Sequence, residues 1–166
     1  FSPGDAMEKL KRLSEYDIHS IEQPIRPGQC EEMAALCESS PVPIALEEEL
    51  IGLTESDKRE DLLTKINPQF LIFKPSLIGG MKVCNHWIDL CEKHNIGWWI
   101  TSALESNVGL NAIAQYTYTL KNPMPQGLGT GGLFTNNIDS PLRVKQGALY
   151  HDPFIKWADT DQLFDE

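Results

Sequence analysis

A strand-then-helix unit recurs about every 25 to 30 residues along this chain, and no other feature constrains the fold as tightly. Strand-like apolar runs begin near residues 18, 43, 69, 98 and 127, and helical periodicity fills the stretches between them. Ser2 as N-cap, Pro3 at the first helical position and Asp5 as reciprocal capping-box partner announce the opening helix, whose apolar face is Met7, Leu10 and Leu13. Ile18-His19-Ser20-Ile21-Glu22 then reads as a strand closed by Gln23-Pro24. Pro43-Ile44-Ala45-Leu46-Glu47, Phe70-Leu71-Ile72-Phe73-Lys74 and Trp98-Trp99-Ile100-Thr101-Ser102 are the next three, and a short element near 127–130 is the last. Helices are expected over 28–37, 54–66, 79–94 and 106–120, and the acidic tail 141–166 reads as an extended C-terminal wrap.

Strands alternating with helices imply parallel pairing and right-handed crossovers. Two architectures use this unit, an open doubly wound sheet and a closed (β/α)8 barrel. A barrel takes about 250 residues, so 166 residues taken alone favour the open five-stranded sheet. The balance of 14 Lys and Arg against 24 Asp and Glu, with no basic cluster, argues against nucleic acid, whose phosphates need basic partners. No apolar run approaches the ~20 residues of a membrane span, and no signal-peptide pattern is present. Cys30/Cys37 and Cys84/Cys91 are each seven apart, about two helical turns, which is too far for a disulfide and outside zinc-site spacing. They read as small hydrophobes on buried helix faces, and a reducing, cytoplasmic location follows as the expectation.

Polar residues gather at the strand ends. Glu22 closes the first strand, Glu47 (followed by Glu48 and Glu49) the second, Lys74 the third, and Thr101-Ser102 the fourth, with Glu105 just beyond. The carboxyl ends of parallel strands share one mouth, so these side chains are brought together by the fold. Two carboxylates there are hard ligands suited to Mg2+, and a lysine opposite them, its pKa depressed by burial, can act on a proton or hold an anion. Strand alternation places Ala45 and Glu47 on the inner face and Glu48 on the other, as a rim residue. His19, His86, His94 and His151 are scattered and read as structural, Trp98-Trp99 as core. The run Gly129-Thr130-Gly131-Gly132 could offer backbone N–H groups to an anion.

Ile21-Glu22-Gln23-Pro24, Pro43-Ile44-Ala45-Leu46-Glu47-Glu48 and Lys74-Pro75-Ser76-Leu77-Ile78-Gly79-Gly80 resemble successive barrel motifs of the enolase superfamily, in its muconate-lactonizing-enzyme-like subgroup. Thr101-Ser102-Ala103-Leu104-Glu105-Ser106-Asn107-Val108-Gly109 followed by Gly127-Leu128-Gly129-Thr130 looks most like the dehydratases of menaquinone biosynthesis within it. The resemblance covers about residues 1–135 and leaves 136–166 as a C-terminal extension. It implies an α/β fold, the C-terminal part of a (β/α)8 barrel from the helix after the third strand onward. It further implies Glu22 and Glu47 as Mg2+ ligands, Lys74 as the lysine that stabilises an enediolate, and Thr101, Ser102, Gly127 and Thr130 as substrate contacts. Many relatives carry Asp where Glu47 stands, an exchange of one carboxylate for another, and Asp where Gly129 stands.

The first metal ligand, an Asp on the third strand, the proton-abstracting K-x-K lysines of the second strand and an N-terminal capping domain belong to the pattern but not to these residues, so Phe1 reads as a point inside a barrel. The implied partners are a small-molecule carboxylate substrate, the N-terminal segment of the same protein and a second copy in a homo-oligomer. The implied reaction is Mg2+-dependent syn-elimination of water forming o-succinylbenzoate, with this piece alone inactive. No D-x-D pair follows Gly127, unlike in dipeptide epimerases, and residues 98–103 hold no His, unlike in mandelate-type racemases. N-acylamino-acid racemase and muconate-type cycloisomerase chemistry stay open, as does a non-catalytic flavodoxin-like binding domain.

Overall fold

The computed structural model describes residues 1–159, so any expectation for residues 160–166 lies outside the described residues. The chain divides into two compact units, Phe1–Trp99 and a second beginning at Ile100.

In the first unit, α1 (Pro3–Leu13) leads to β1 (Ile21–Glu22), α2 (Cys30–Ser39), β2 (Ile44–Leu46), α3 (Ser56–Ile66) and β3 (Phe70–Phe73). A single turn α4 (Pro75–Ile78), the long α5 (Met81–His94) and β4 (Gly97–Ile100) follow. The sheet runs β1-β2-β3-β4, with β1 parallel to β2 and β2 parallel to β3. That order decides between the two architectures. A doubly wound sheet reverses its strand order at a switch point and so carries helices on both faces. Here each strand adds to the same edge, so right-handed crossovers keep the helices on one face, as in a barrel wall. Accordingly α1 packs on α2, α2 on α3 and α3 on α5. The open sheet suggested by length is not what forms.

Local details follow from particular residues. Ser2 Oγ donates to the Asp5 carboxylate at 2.6 Å instead of capping a backbone amide, so the expected capping box is not made. The first strand is shorter than expected: only Ile21 and Glu22 pair with the neighbouring strand, and the chain reaches them from a tight turn over 14–16 and Asp17 at φ 51°. His19 lies outside it, its ring centroid 4.6 Å from that of Phe70. Ile44, Ala45 and Leu46 are all buried, as are Leu71, Ile72 and Phe73, the pattern of strands covered on both faces. Cys37, Cys84 and Cys91 are buried, and none of the four cysteines is bridged; burial pushes the Cys37 thiol up to about 12. The helix expected over 79–94 begins later, because Gly79 (φ 106°) ends α4 and Gly80 (φ 87°) redirects the chain into α5. At Gly97 a Cβ would lie 2.4 Å from the Phe70 ring, so only glycine lets β4 start beside that aromatic side chain.

In the second unit, the strand expected near 127 reduces to one parallel bridge between Thr101 and Gly127. Helix α6 (Asn107–Leu120) matches expectation closely. The tail differs: residues read as a featureless wrap form an antiparallel hairpin, β5 (Leu142–Lys145) and β6 (Ala148–His151). Its two-residue turn is Gln146-Gly147, both with positive φ, the geometry a tight hairpin prefers. Among the described residues no helix is long and apolar enough to cross a membrane.

Candidate active site

Glu22 is the last residue of β1, Glu47 follows β2 directly and Lys74 follows β3 directly. Parallel pairing puts those three strand ends side by side. Oxygens of Glu22, Glu47 and Glu48 all lie within 4.8 Å of one another. Lys74 Nζ donates to Glu47 Oε2 at 2.7 Å, with Glu47 only 3% exposed and Lys74 23%. The juxtaposition of Glu22, Glu47 and Lys74 was legible in the strand ends. The position of Glu48 was not, because β2 stops at Leu46 and a 3-10 turn over Glu48–Leu50 replaces strand alternation. That turn swings Glu48 beside the other two carboxylates, exposed at the rim.

Three carboxylates converging on one point repel one another unless a cation joins them. Burial pushes the Glu22 carboxyl above its ordinary value, the hydrogen bond and charge of Glu47 add to this, and the Lys74 charge partly offsets it. Lys74 departs from the sequence expectation. Burial alone pushes its ammonium down, but the hydrogen bond to Glu47 and the charges of Glu47, Glu22 and Glu48 outweigh that, and its pKa is raised. The donor set itself, all hard carboxylate oxygen, fits a small divalent cation such as Mg2+.

The raised Glu22 value carries a stability consequence in metal-free solution. The folded state holds the Glu22 proton more tightly than the unfolded chain, so the charged form works against folding once pH exceeds the unfolded value near 4.5. Glu22→Gln removes that contribution. Relative to the parent, the stability gained through this group should be absent below pH 4.5, grow as pH rises, and level off above the folded-state pKa. Urea unfolding of both proteins across that range in chelator tests it, and a difference independent of pH contradicts it.

Two neighbours with no role assigned from sequence support this site. Gln23, at φ 40°, accepts the Glu47 backbone N–H through its Oε1 at 3.3 Å and donates its Nε2 to the Ile25 carbonyl at 3.1 Å. Glu49 is buried, and both its oxygens accept the Gly28 N–H at 3.1 Å, with Gln23 Nε2 at 3.5 Å. The only sequence signal was their adjacency to metal-type residues, Gln23 after Glu22 and Glu49 at the end of a run of three glutamates.

In the second unit, Thr101, Ser102, Gly127 and Thr130 come together as a polar group. Thr101 Oγ1 donates to the Gly127 carbonyl at 2.9 Å, Ser102 N–H donates to the same carbonyl at 3.2 Å, and the Ser102 and Thr130 hydroxyls share a hydrogen bond. A Cβ on Gly127 would meet Thr101 Oγ1 at 2.5 Å, so this close approach requires glycine. Gly129 and Gly131 bring no side chain to the group. His86 and His94 bond helix partners, Arg59 with Ser56 and Glu60 respectively, in keeping with structural roles.

Consecutive parallel strands with helices on one face, and acidic and basic side chains on successive strand ends, define the class of α/β-barrel proteins. The chain belongs to the Enolase C-terminal domain-like family, which matches residues 1–152. It is 57% identical over 149 residues to the o-succinylbenzoate synthase of Desulfotalea psychrophila, covering 90% of this chain and 40% of that protein. The o-succinylbenzoate synthase of Mycolicibacterium smegmatis is 29% identical over 162 residues, 93% of this chain and 46% of the relative. The crystal structure of MenC from Desulfotalea psychrophila superposes with a TM-score of 0.87, covering 90% of this chain and 42% of that one. A muconate lactonizing enzyme from Pseudomonas fluorescens, complexed with muconolactone, matches with a TM-score of 0.83 at 23% identity, over 98% of this chain and 44% of that one, a likeness of fold. The chain thus spans less than half the length of the relatives it matches.

Proposed function

We propose that this chain is the C-terminal barrel portion, residues 1–135 with a C-terminal extension over 136–166, of an enzyme that forms o-succinylbenzoate by Mg2+-dependent dehydration. The observation that carries the reading is the Glu22, Glu47 and Glu48 cluster with Lys74 bonded to Glu47, in a chain 57% identical to an o-succinylbenzoate synthase. Glu22 and Glu47 would hold the metal, with Glu48 at the rim. When bound, Mg2+ supplies positive charge that acidifies the proton α to a substrate carboxylate.

The roles of the chain's own residues follow from their chemistry. Lys74 has a raised pKa and so stays protonated at neutral pH, which suits it to hold negative charge on an enediolate better than to remove a proton. Its ion pair with Glu47 fixes the ammonium in place before the charge develops. Proton removal falls to a lysine outside these residues. Thr101, Ser102, Gly127 and Thr130 would contact the substrate, the paired Ser102 and Thr130 hydroxyls offering one remaining O–H donor and the glycine allowing close approach of the backbone. Partners of the reaction are the small carboxylate substrate and the N-terminal segment of the same protein, in a cytoplasmic enzyme that can assemble with its own copies.

The test is the full-length gene product assayed with Mg2+ on the cyclohexadiene precursor, beside N-acylamino acids, dipeptides and muconate. Dehydration of the precursor, abolished by chelator, is the expected result. Racemisation of N-acylamino acids as the dominant activity overturns the choice of substrate while leaving the metal chemistry intact.

A further inference from the structure

Glu49 is a buried carboxylate, and among the described residues no Lys or Arg lies within ion-pair distance of it. Burying a carboxylate on amide donors alone is a costly arrangement, so what it ties together matters. Both its oxygens take the Gly28 N–H, which lies in the loop between β1 and α2, while Glu49 itself sits in the Glu48–Leu50 turn after β2. Gln23 completes the clasp from the other side. Its amide reaches Glu49 Oε1, its carbonyl oxygen takes the Glu47 N–H, and its backbone sits at φ 40° directly after Glu22. The loop that follows Glu22 and the turn that carries Glu47 and Glu48 are therefore cross-linked by one carboxylate and one amide.

We propose that Glu49 is a positioning residue: by clamping the Gly28 N–H and Gln23, it fixes the turn after β2 against the loop after β1 and so sets the separation of Glu22 from Glu47 and Glu48. The proposal rests on reading Glu22 and Glu47, with Glu48 beside them, as the metal site. Groups that orient ligands without touching a metal still govern affinity, because each ligand must be held at the right separation. The clasp needs an acceptor oxygen of the right reach and does not need the negative charge. Glu49→Gln keeps one such oxygen, whereas Glu49→Asp keeps the charge but falls about 1.5 Å short, and Glu49→Ala keeps neither.

The test is Mn2+ binding to the full-length protein and the three variants, followed by the electron paramagnetic resonance of free Mn2+ without substrate. Circular dichroism checks that each variant is folded. Glu49→Ala and Glu49→Asp should weaken binding by about tenfold or more, while Glu49→Gln stays within about threefold of the parent. If Glu49→Ala does not fold, the near-isosteric pair decides. The reverse pattern, with Gln weak and Asp normal, makes Glu49 a source of charge and overturns the proposal, as does equal affinity in all the folded proteins. A parent that binds no Mn2+ overturns the metal reading itself, and the clasp's role with it.

Discussion

Lys74→Ala in the full-length protein is expected to abolish measurable dehydration, a loss of at least ~10³-fold in kcat, with the fold retained. The proposed role of Lys74 is to hold charge that develops in the reaction, and alanine leaves neither the ammonium nor a group that replaces it. A second effect accompanies the first. Glu47 is 3% exposed and its hydrogen bond to Lys74 is 2.7 Å, so the variant strands a buried carboxylate beside Glu22 and Glu48. Removing one partner of such a pair costs about 2 kcal/mol or more, and metal-free Lys74→Ala should unfold at lower urea than the parent. Saturating Mg2+ should recover that stability, because a cation bound by the carboxylates does what the ammonium did for them, but it should not recover turnover. Thermal melts with and without Mg2+ beside the kinetic assay separate the two effects. Near-normal kcat in Lys74→Ala contradicts the catalytic role, and a variant that stays inactive only because it is unfolded shows itself in the melts.

What was readable in the sequence and what was not divides along physical lines. The residues that close a strand are fixed by a one-dimensional pattern, an apolar run that ends on a charge, and parallel strands then deliver those ends to one place. That is why the meeting of Glu22, Glu47 and Lys74 follows from the strand ends alone. Glu48 lies at the rim as strand alternation suggests, but beside Glu22 and Glu47 and not on the opposite face, because the backbone of Glu47 (φ −135°, ψ −66°) already leaves the strand. The Gln23–Glu49–Gly28 clasp depends on a loop and a turn meeting across 21 to 26 residues, and no local pattern records that meeting. The hairpin over 142–151 was legible in part, since Gln146-Gly147 follows the alternating run Leu142-Arg143-Val144-Lys145, while Ala148-Leu149-Tyr150-His151 shows no such alternation. The sheet topology was the subtlest point. A βα repeat is common to open sheets and barrels, and only the order β1-β2-β3-β4, never reversing, distinguishes them. The sign of the Lys74 shift was also beyond sequence, because it depends on three carboxylates outweighing burial.

The 166-residue chain purified by itself is expected to show no dehydratase turnover, and metal binding should tell why. Its own side chains supply two proposed ligands, Glu22 and Glu47, with Glu48 beside them, and the charge-holding Lys74. A proton must still leave the carbon α to the substrate carboxylate, and Lys74 is poorly suited to take it while its pKa is raised. The resemblance assigns that step to the K-x-K lysines of the second barrel strand and one further ligand to an aspartate on the third, and neither strand is among these residues; Lys9-Leu10-Lys11 lies in helix α1 instead. Losing a positioned base costs about 10²- to 10⁴-fold, and losing substrate orientation multiplies the deficit, which puts the rate below detection. Mn2+ should bind the isolated chain more weakly than the full-length protein, since one carboxylate fewer is on offer. Adding the remaining segment as a separate polypeptide should restore activity if the two halves associate. Turnover by the isolated chain without that segment would mean that a residue within it removes the proton, and Lys74 would then have to be the base.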